Sequence, residues 1–311
     1  MIKRRYFSFL WILFFVVVGI LISVFLSRLD NNPSIPSYGS LEGQKNEEYG
    51  NPQRIICATP GIAEIVFTLE CGDRVVGVSQ FSKYPKEVQE KSVIGGLIDP
   101  HRERILALKP DLFLTQGHHQ SMAAFCREHR IRFLSVQIER LDDIPEAVLF
   151  LGKTLKVEAR AEKLAKSITE DIQEIRGKVQ GRKKRTVFLS LGHTPGDLTG
   201  IMTAGKGTFL HELITSAGGI NIFSDVKGKY PQISKEALVK RQPELIIEIS
   251  GLPAGKLELI KQDWNKLSIL TAVKKGKIYF LADDYLLIPG VRVAQTAEHL
   301  ARIIHPEVFD E

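Results

Sequence analysis

Cysteine is scarce. Cys57, Cys71 and Cys126 are the only three in 311 residues, enough for at most one disulfide with a thiol left over, and their spacing fits no zinc pattern. Each sits among apolar neighbours (Ile-Ile-Cys57-Ala, Leu-Glu-Cys71-Gly, Ala-Phe-Cys126-Arg), where a small buried side chain is the ordinary use. No Gly-x-Ser-x-Gly elbow and no His-Glu-x-x-His helix occurs, so the signatures of α/β hydrolases and zincins are missing. A strong excess of one charge is missing too. Lys and Arg number 42 against 36 Asp and Glu, and three of the six net positive charges are Lys3, Arg4 and Arg5. The remainder is too nearly balanced to argue for a nucleic-acid partner. With 44% hydrophobic residues, the chain is neither disordered, collagen-like nor a disulfide scaffold, and its length admits two domains or one large α/β domain.

One hydrophobic run is long. Tyr6 to Leu26 carries no charge and directly follows the basic triplet. About 20 apolar residues span a bilayer as a helix, whereas a secretory h-region has about 7–15. No Ala-x-Ala cleavage signal follows, and no cysteine near the end of the run could take a lipid. Residues 1–27 are expected to form a transmembrane signal anchor, with a cleaved signal peptide as the alternative. The positive-inside rule keeps Lys3, Arg4 and Arg5 in the cytoplasm and exports everything after Ser27. The expected location is the cytoplasmic membrane, with the bulk of the chain extracytoplasmic (periplasmic). Residues 28–51, rich in Asn, Ser, Gly and Pro, read as a flexible tether.

From Arg54 onward short apolar runs alternate with helical periodicity, the pattern of a parallel α/β sheet. Strands are expected at 55–58, 74–78, 111–114 and 133–136, and helices at 62–69, 103–108 and 120–128. Two helices, 142–154 and 158–179, then follow with no strand between them. In the second, Leu164, Ile168, Ile172, Ile175 and Val179 form one apolar stripe. A helix of that length reaches about 33 Å, enough to cross from one domain to another. The run Gly181-Arg182-Lys183-Lys184-Arg185 reads as a solvated helix end beside the C-terminal dipole. The alternation restarts with strands at 186–191, 244–249 and 277–281 and helices at 209–217 and 290–304. The expected architecture is α/β: two Rossmann-like lobes, 52–155 and 182–311, bridged by one long α-helix within 156–181 and preceded by the transmembrane helix.

An internal repeat links the lobes. Glu103-Arg-Ile-Leu-Ala-Leu-Lys-Pro110-Asp-Leu-Phe-Leu resembles Glu236-Ala-Leu-Val-Lys-Arg-Gln-Pro243-Glu-Leu-Ile-Ile. In each, a glutamate opens a short helix, and Pro, an acid and an apolar strand follow. A carboxylate there complements the helix dipole. Its occurrence on both lobes also suits a two-point docking surface for a symmetric basic partner.

Other constellations are weaker. Gly200-Ile-Met-Thr-Ala-Gly205-Lys206-Gly207 nearly spells a P-loop, but Gly207 stands where a Ser or Thr hydroxyl should meet magnesium, so a Gly-rich turn before a helix is the better reading. His118-His119 and His193 follow strands of different lobes, where ligands bind open α/β sheets. With Asp284 they could hold a metal in an extracytoplasmic enzyme, contact a larger ligand, or be plain surface residues. Phe81, Tyr84, Tyr230 and Tyr285 also follow strands and are flanked by Ser, Lys, Gly and Asp. Partly exposed aromatic faces across a cleft would suit a large, flat, partly apolar ligand.

The chain resembles the class III substrate-binding proteins of ABC importers, which capture cobalamin, ferric siderophores and haem. The resemblance is carried by Arg54-Ile-Ile-Cys-Ala-Thr-Pro60-Gly-Ile-Ala-Glu64-Ile, Gly72-Asp-Arg-Val-Val-Gly77-Val-Ser, Tyr84-Pro85 and Glu103 through Leu112. It continues in Gly207-Thr-Phe-Leu-His-Glu-Leu, Ala217-Gly-Gly-Ile-Asn221, Tyr230-Pro-Gln-Ile-Ser-Lys-Glu236, Trp264 through Lys274, Gly276-Lys-Ile-Tyr, and Pro289-Gly290 with Arg292. It covers about residues 52–306. It implies two lobes on one long helix with little hinge motion, and a ligand between them near Thr59, Pro60, Phe81, His118, His193, Tyr230 and Tyr285. It also implies that Glu103 and Glu236 salt-bridge to arginines of the permease.

Within the group the cobalamin-binding branch is closest, through Tyr84-Pro85 and the 230–236 segment. Where that branch often has tryptophans flanking the corrin, this chain has Leu97 and Tyr230, and Trp264 is its only tryptophan outside the membrane segment. Siderophore sites favour arginines, for which Arg292 is the candidate. Relatives are commonly free periplasmic proteins or lipoproteins, so a membrane anchor is a departure. The expectation is therefore a monomeric, non-enzymatic receptor without a cofactor, delivering cobalamin or a related metal chelate to an ABC permease/ATPase complex. The alternatives are a siderophore or haem receptor, an anchored sensor of the same fold, and the enzyme built on His118, His193 and Asp284.

Overall fold

The computed structural model describes residues 50–96, 98–249 and 257–309. The expected anchor, nearly all of the expected tether and Leu97 lie outside these residues. Among the described residues no helix is long and apolar enough to cross a membrane.

The first half opens with β1 (Ile55–Cys57), α1 (Pro60–Thr68), β2 (Val75–Val78) and β3 (Ser92–Val93). It continues with α2 (Arg102–Ala107), β4 (Leu112–Gln116), α3 (Gln120–Glu128) and β5 (Arg132–Val136). The five strands form one sheet in the order β3-β2-β1-β4-β5, and every pair is parallel. Helices cover both faces, which is why β1 is apolar and buried at every position rather than alternating. The strand order reverses between β1 and β4, so the crevice for a ligand opens beyond the carboxyl ends of these two strands.

Two helices follow, α4 (Asp143–Leu155) and α5 (Glu158–Val179). Lys156 ends α4 in the left-handed conformation, and Val157 starts α5. The second half contains β6 (Arg185–Ser190), β7 (Ile201–Met202), α6 (Phe209–Ser216), β8 (Gly219–Asn221), β9 (Gln232–Ile233) and α7 (Lys235–Arg241). It closes with β10 (Leu245–Ile249), α8 (Leu257–Asn265), α9 (Thr271–Lys274), β11 (Ile278–Leu281), α10 (Val293–Ile304) and α11 (Pro306–Phe309). Its parallel sheet runs β11-β10-β6-β8, and β7 and β9 make a separate antiparallel ribbon.

The long helix is where the sequence pattern puts it. Ala161, Ala165, Ile168, Ile172, Ile175 and Val179 are its buried residues, while Leu164 is only partly covered. Small residues face α4 because the two helices come close. A Cβ at Gly152 would overlap that of Ala161. Further along, Ile172, Ile175 and Val179 join the same apolar cluster as Val187 and Leu189 of β6 and Leu300 and Ile304 of α10. That cluster also holds Ile55, Leu112 and Leu134 of the first sheet. The halves thus share one continuous core through α5.

Boundaries differ from the sequence reading by a few residues. Helix α1 begins at Pro60 rather than 62, since proline at the first helical position carries the right φ and needs no hydrogen bond. Helix α10 begins at Val293 rather than 290, because Gly290 is packed against α1: a Cβ on it would lie 3.0 Å from the Glu64 Oε2. The short strands β3, β7, β8 and β9 have two or three residues each, too few for a pattern, and are defined by their neighbours. The three cysteines are buried and unbridged. Burial pushes the Cys126 thiol up to about 12 and raises Cys57 and Cys71 as well, so none is a ready nucleophile.

Candidate functional site

Parallel strands deliver their following loops to one edge of a sheet. At the carboxyl edge of the first sheet these loops carry Thr59 and Pro60 after β1, Phe81 and Tyr84 after β2, and His118 after β4. Phe81 is 54% exposed and Tyr84 42%. His118 is exposed, while the neighbouring His119 ring lies 2.9 Å from the Gln116 carbonyl. Thr59 is the N-cap residue of α1, yet its hydroxyl makes no capping bond. The Thr59 and Ser82 hydroxyls are buried without a hydrogen-bond partner. A buried hydroxyl left unpaired costs about 1–3 kcal/mol, and both sit where a ligand could satisfy them.

The carboxyl edge of the second sheet faces this one. The turn Asp284–Leu287 after β11 carries Tyr285, and Arg292 ends the loop that precedes α10. Arg292 crosses to the first half. Its guanidinium lies 2.5 Å and 3.2 Å from the two carboxylate oxygens of Glu64. Its central carbon stands 4.4 Å from the centre of the Tyr84 ring and 5.1 Å from that of Tyr285. The Tyr285 hydroxyl lies 3.4 Å from His299 Nδ1. Tyr230 is 45% exposed and follows Lys229, which forms an ion pair with Glu139 of the first half. The two carboxyl edges are therefore joined at Glu64–Arg292 and at Glu139–Lys229, with Phe81 and Tyr230 presenting open rings and Tyr84 partly exposed beside Arg292.

His193 is placed differently. It follows β6 as expected, but its imidazole is fully buried between two carboxylates. Nδ1 lies 3.5 Å from Glu248 and Nε2 3.4 Å from Asp263, and the ring meets Trp264 edge-on at 5.7 Å. Asp263 also accepts from the Gly196 N–H at 2.6 Å and from Lys266 at 2.7 Å. Burial alone would depress the imidazole, but the nearby Glu248 and Asp263 carboxylates, the latter hydrogen-bonded to Nε2, outweigh it and raise its pKa. Burial would likewise raise Asp263, yet Lys266, Gly196 and His193 hold it below its ordinary value. The side chain thus fastens the 192–200 loop from behind. The carboxylates approach opposite ring nitrogens, so they do not converge on one metal ion. Among the described residues, no three His, Cys, Asp or Glu groups gather in a metal-binding cluster.

Glu103 and Glu236 occupy matching positions. Each is the second residue of its helix, α2 or α7, and both are exposed. Each helix leads into the strand beside the first strand of its sheet, β4 beside β1 and β10 beside β6. Ser234 caps α7, and the hydrogen bond between Ser234 and Glu236 keeps that carboxylate below its usual pKa.

Sequence reasoning missed the clasp partner Glu64 and the anchors Glu248 and Asp263. A charge within the otherwise apolar run Gly61-Ile-Ala-Glu64-Ile-Val, buried on all sides in the structure, was the available signal. A buried carboxylate demands a partner.

The comparisons with known proteins fit this geometry. The model of the periplasmic binding protein family matches residues 55–285. This chain belongs to that family. It is 30% identical over 271 residues to the uncharacterized ABC transporter substrate-binding lipoprotein YvrC of Bacillus subtilis (strain 168), covering 84% of this chain and 82% of the relative. The vitamin B12-binding protein of Salmonella typhi is 29% identical over 229 residues, with 73% of this chain and 83% of that protein covered. Among solved structures, the periplasmic vitamin B12-binding protein BtuF of Vibrio cholerae superposes with a TM-score of 0.70 at 25% identity, covering 84% of this chain and 99% of that one. As a member of the family, the chain is an extracytoplasmic substrate-binding component of the ABC-importer type, not an enzyme.

Proposed function

We propose that this protein captures cobalamin, or a metal chelate of similar size and flatness, between the carboxyl edges of its two sheets and hands it to an ABC permease. The observation that carries the reading is the set of open aromatic faces on opposed edges. Phe81 and Tyr84 stand on one and Tyr230 on the other, half exposed around a seam that two cross-links hold together. A macrocycle offers two apolar faces and a polar rim, and the unpaired Thr59 and Ser82 hydroxyls are polar partners for such a rim. Relatives that bind vitamin B12 at 29% identity support the same choice. The proposed contact set is Thr59, Pro60, Phe81, Tyr84, Leu97, His118, Tyr230 and Tyr285. Arg292 and His193 hold the walls in place.

Glu103 and Glu236 are the proposed permease contacts, one on each lobe, because both are exposed and occupy equivalent turns of equivalent helices. The lobes are taken as 52–155 and 182–311 with the 156–181 helix between them. Residues 1–27 are taken as the membrane anchor and 28–51 as the tether that leaves the binding unit free to meet its permease.

Calorimetric titration of the detergent-solubilised chain with cobalamin, haem and a panel of ferric siderophores tests the reading. Stoichiometric binding with release of unchanged cobalamin is the expected result. Binding of haem or a siderophore in its place would move the assignment within the family, and no binding of any of them would sink it.

A further inference from the structure

A second feature of the seam is unrelated to the aromatic cleft. An open cavity of about 450 Å³ lies where three elements from both halves meet. The connector between β5 and α4 contributes Arg140 and Asp142, α5 contributes Arg176, and the turn into α6 and α6 itself contribute Lys206, His211 and Glu212. No residue of the proposed cleft lines it.

Its charges do not cancel locally. Glu212 is already engaged, accepting the Leu141 N–H at 2.7 Å and the Arg140 Nε at 3.0 Å. Asp142 reaches only Arg140, at 4.0 Å. Arg176 sits in the last turn of α5, where a cation complements the helix dipole. Its guanidinium, however, is drawn across to α6, donating to the Ser216 hydroxyl at 3.0 Å. Among the described residues it has no carboxylate partner, and neither does Lys206. Lys206 belongs to the Gly-rich stretch that nearly spells a P-loop. The structure turns that stretch into α6, capped by the Thr208 hydroxyl, which accepts the His211 N–H at 3.2 Å. The α6 N-terminal turn adds positive potential on the same side.

Two unpaired cations and a third that is shared, projecting from separate elements into one cavity, match an anion with more than one charge. We propose that this cavity binds a small, free phosphoryl anion carrying at least two negative charges, held by Arg176 and Lys206 with Arg140 at the rim. A phosphodiester, such as a lipid headgroup, carries a single charge and matches it less well. An anion there would touch both halves and the helix that joins them, and so tie the seam together.

Inorganic pyrophosphate is the probe, titrated calorimetrically into the full chain in detergent at constant ionic strength, with dimethyl phosphate as the singly charged comparison. Saturable pyrophosphate binding is expected, with dimethyl phosphate much weaker. Lys206→Ala and Arg176→Ala should each weaken binding about tenfold or more, the scale of one charge-assisted hydrogen bond. The melting temperature without pyrophosphate should stay unchanged in Lys206→Ala, and Lys206→Arg should retain binding. Absence of saturable binding, equal affinity for dimethyl phosphate, or undiminished binding in the Lys206→Ala/Arg176→Ala variant would each overturn the proposal.

Discussion

The Glu64 carboxylate and the Arg292 guanidinium form a two-point ion pair across the seam, at 2.5 Å and 3.2 Å, with side chains only 2% and 11% exposed. Gly61 and Gly290 make the approach possible: a Cβ on Gly61 would stand 2.7 Å from the Pro289 carbonyl oxygen, and one on Gly290 3.0 Å from Glu64 Oε2. The pair joins the middle of α1 to the N-cap of α10, between Tyr84 and Tyr285, so it fixes the relative position of rings that belong to different halves.

Removing one partner of a buried ion pair leaves the other charge desolvated and costs about 3–5 kcal/mol. Glu64→Ala or Arg292→Ala should therefore lose that much stability in denaturant unfolding, and each should also weaken ligand binding by releasing Tyr84. The double variant should be less destabilised than the sum of the two, because no orphan charge remains. Singles that cost under about 1 kcal/mol would mean the pair is solvated after all.

Two glycines near the joining helix should respond with opposite signs. A Cβ at Gly152 of α4 collides with Ala161 of α5, and overpacking costs about 1–3 kcal/mol, more than the gain of up to about 1 kcal/mol from better helix propensity. Gly152→Ala should therefore destabilise. At Gly177, near the end of α5, a Cβ would meet nothing within 4 Å, so Gly177→Ala should stabilise by a few tenths of a kcal/mol to about 1. Thermal unfolding of both reads the contrast directly. A stabilised Gly152→Ala would mean the two helices are looser than their packing indicates.

The sheets and the long helix were legible because period and composition are local properties. The stripe of Ile168, Ile172, Ile175 and Val179 marked α5 to the residue. Phe81 and Tyr84 were legible as aromatics that follow a strand, whereas Tyr230 stands just before β9; all three are partly exposed, as expected. Cross-chain partnerships were not legible. Glu64 and Arg292 are 228 residues apart, and no local pattern links them. His193 shows the same limit: its place after β6 is readable, but the direction of its side chain depends on Glu248 and Asp263, which arrive from β10 and α8.

Glu103 and Glu236 make no ion pair within the described residues, so their replacement should leave the fold almost untouched. In the double variant Glu103→Ala/Glu236→Ala, cobalamin affinity should stay within about twofold of the parent, well under the tenfold that 1.4 kcal/mol represents, while uptake in cells should be lost. Each single variant should fall between. Uptake that survives the double substitution would place permease docking elsewhere on the lobes. Loss of ligand affinity would show that the helix ends shape the cleft instead.

The His193 anchor should make stability depend on pH. Its pKa is raised in the folded protein, because the two buried carboxylates favour the imidazolium more than burial disfavours it. The stabilisation is therefore fully present below about pH 6.5, the ordinary histidine value, and is lost as pH rises through the elevated folded-state value. Asp263 acts at the other end of the scale. Its pKa is lowered, so its share persists above about pH 3.9 and disappears as acid protonates it in the fold. The neutral variant His193→Gln should be less stable than the parent at pH 6 and should approach it as the pH is raised toward 9. A stability difference that stays constant across that range would show that His193 holds the 192–200 loop by packing against Trp264 and not by its charge.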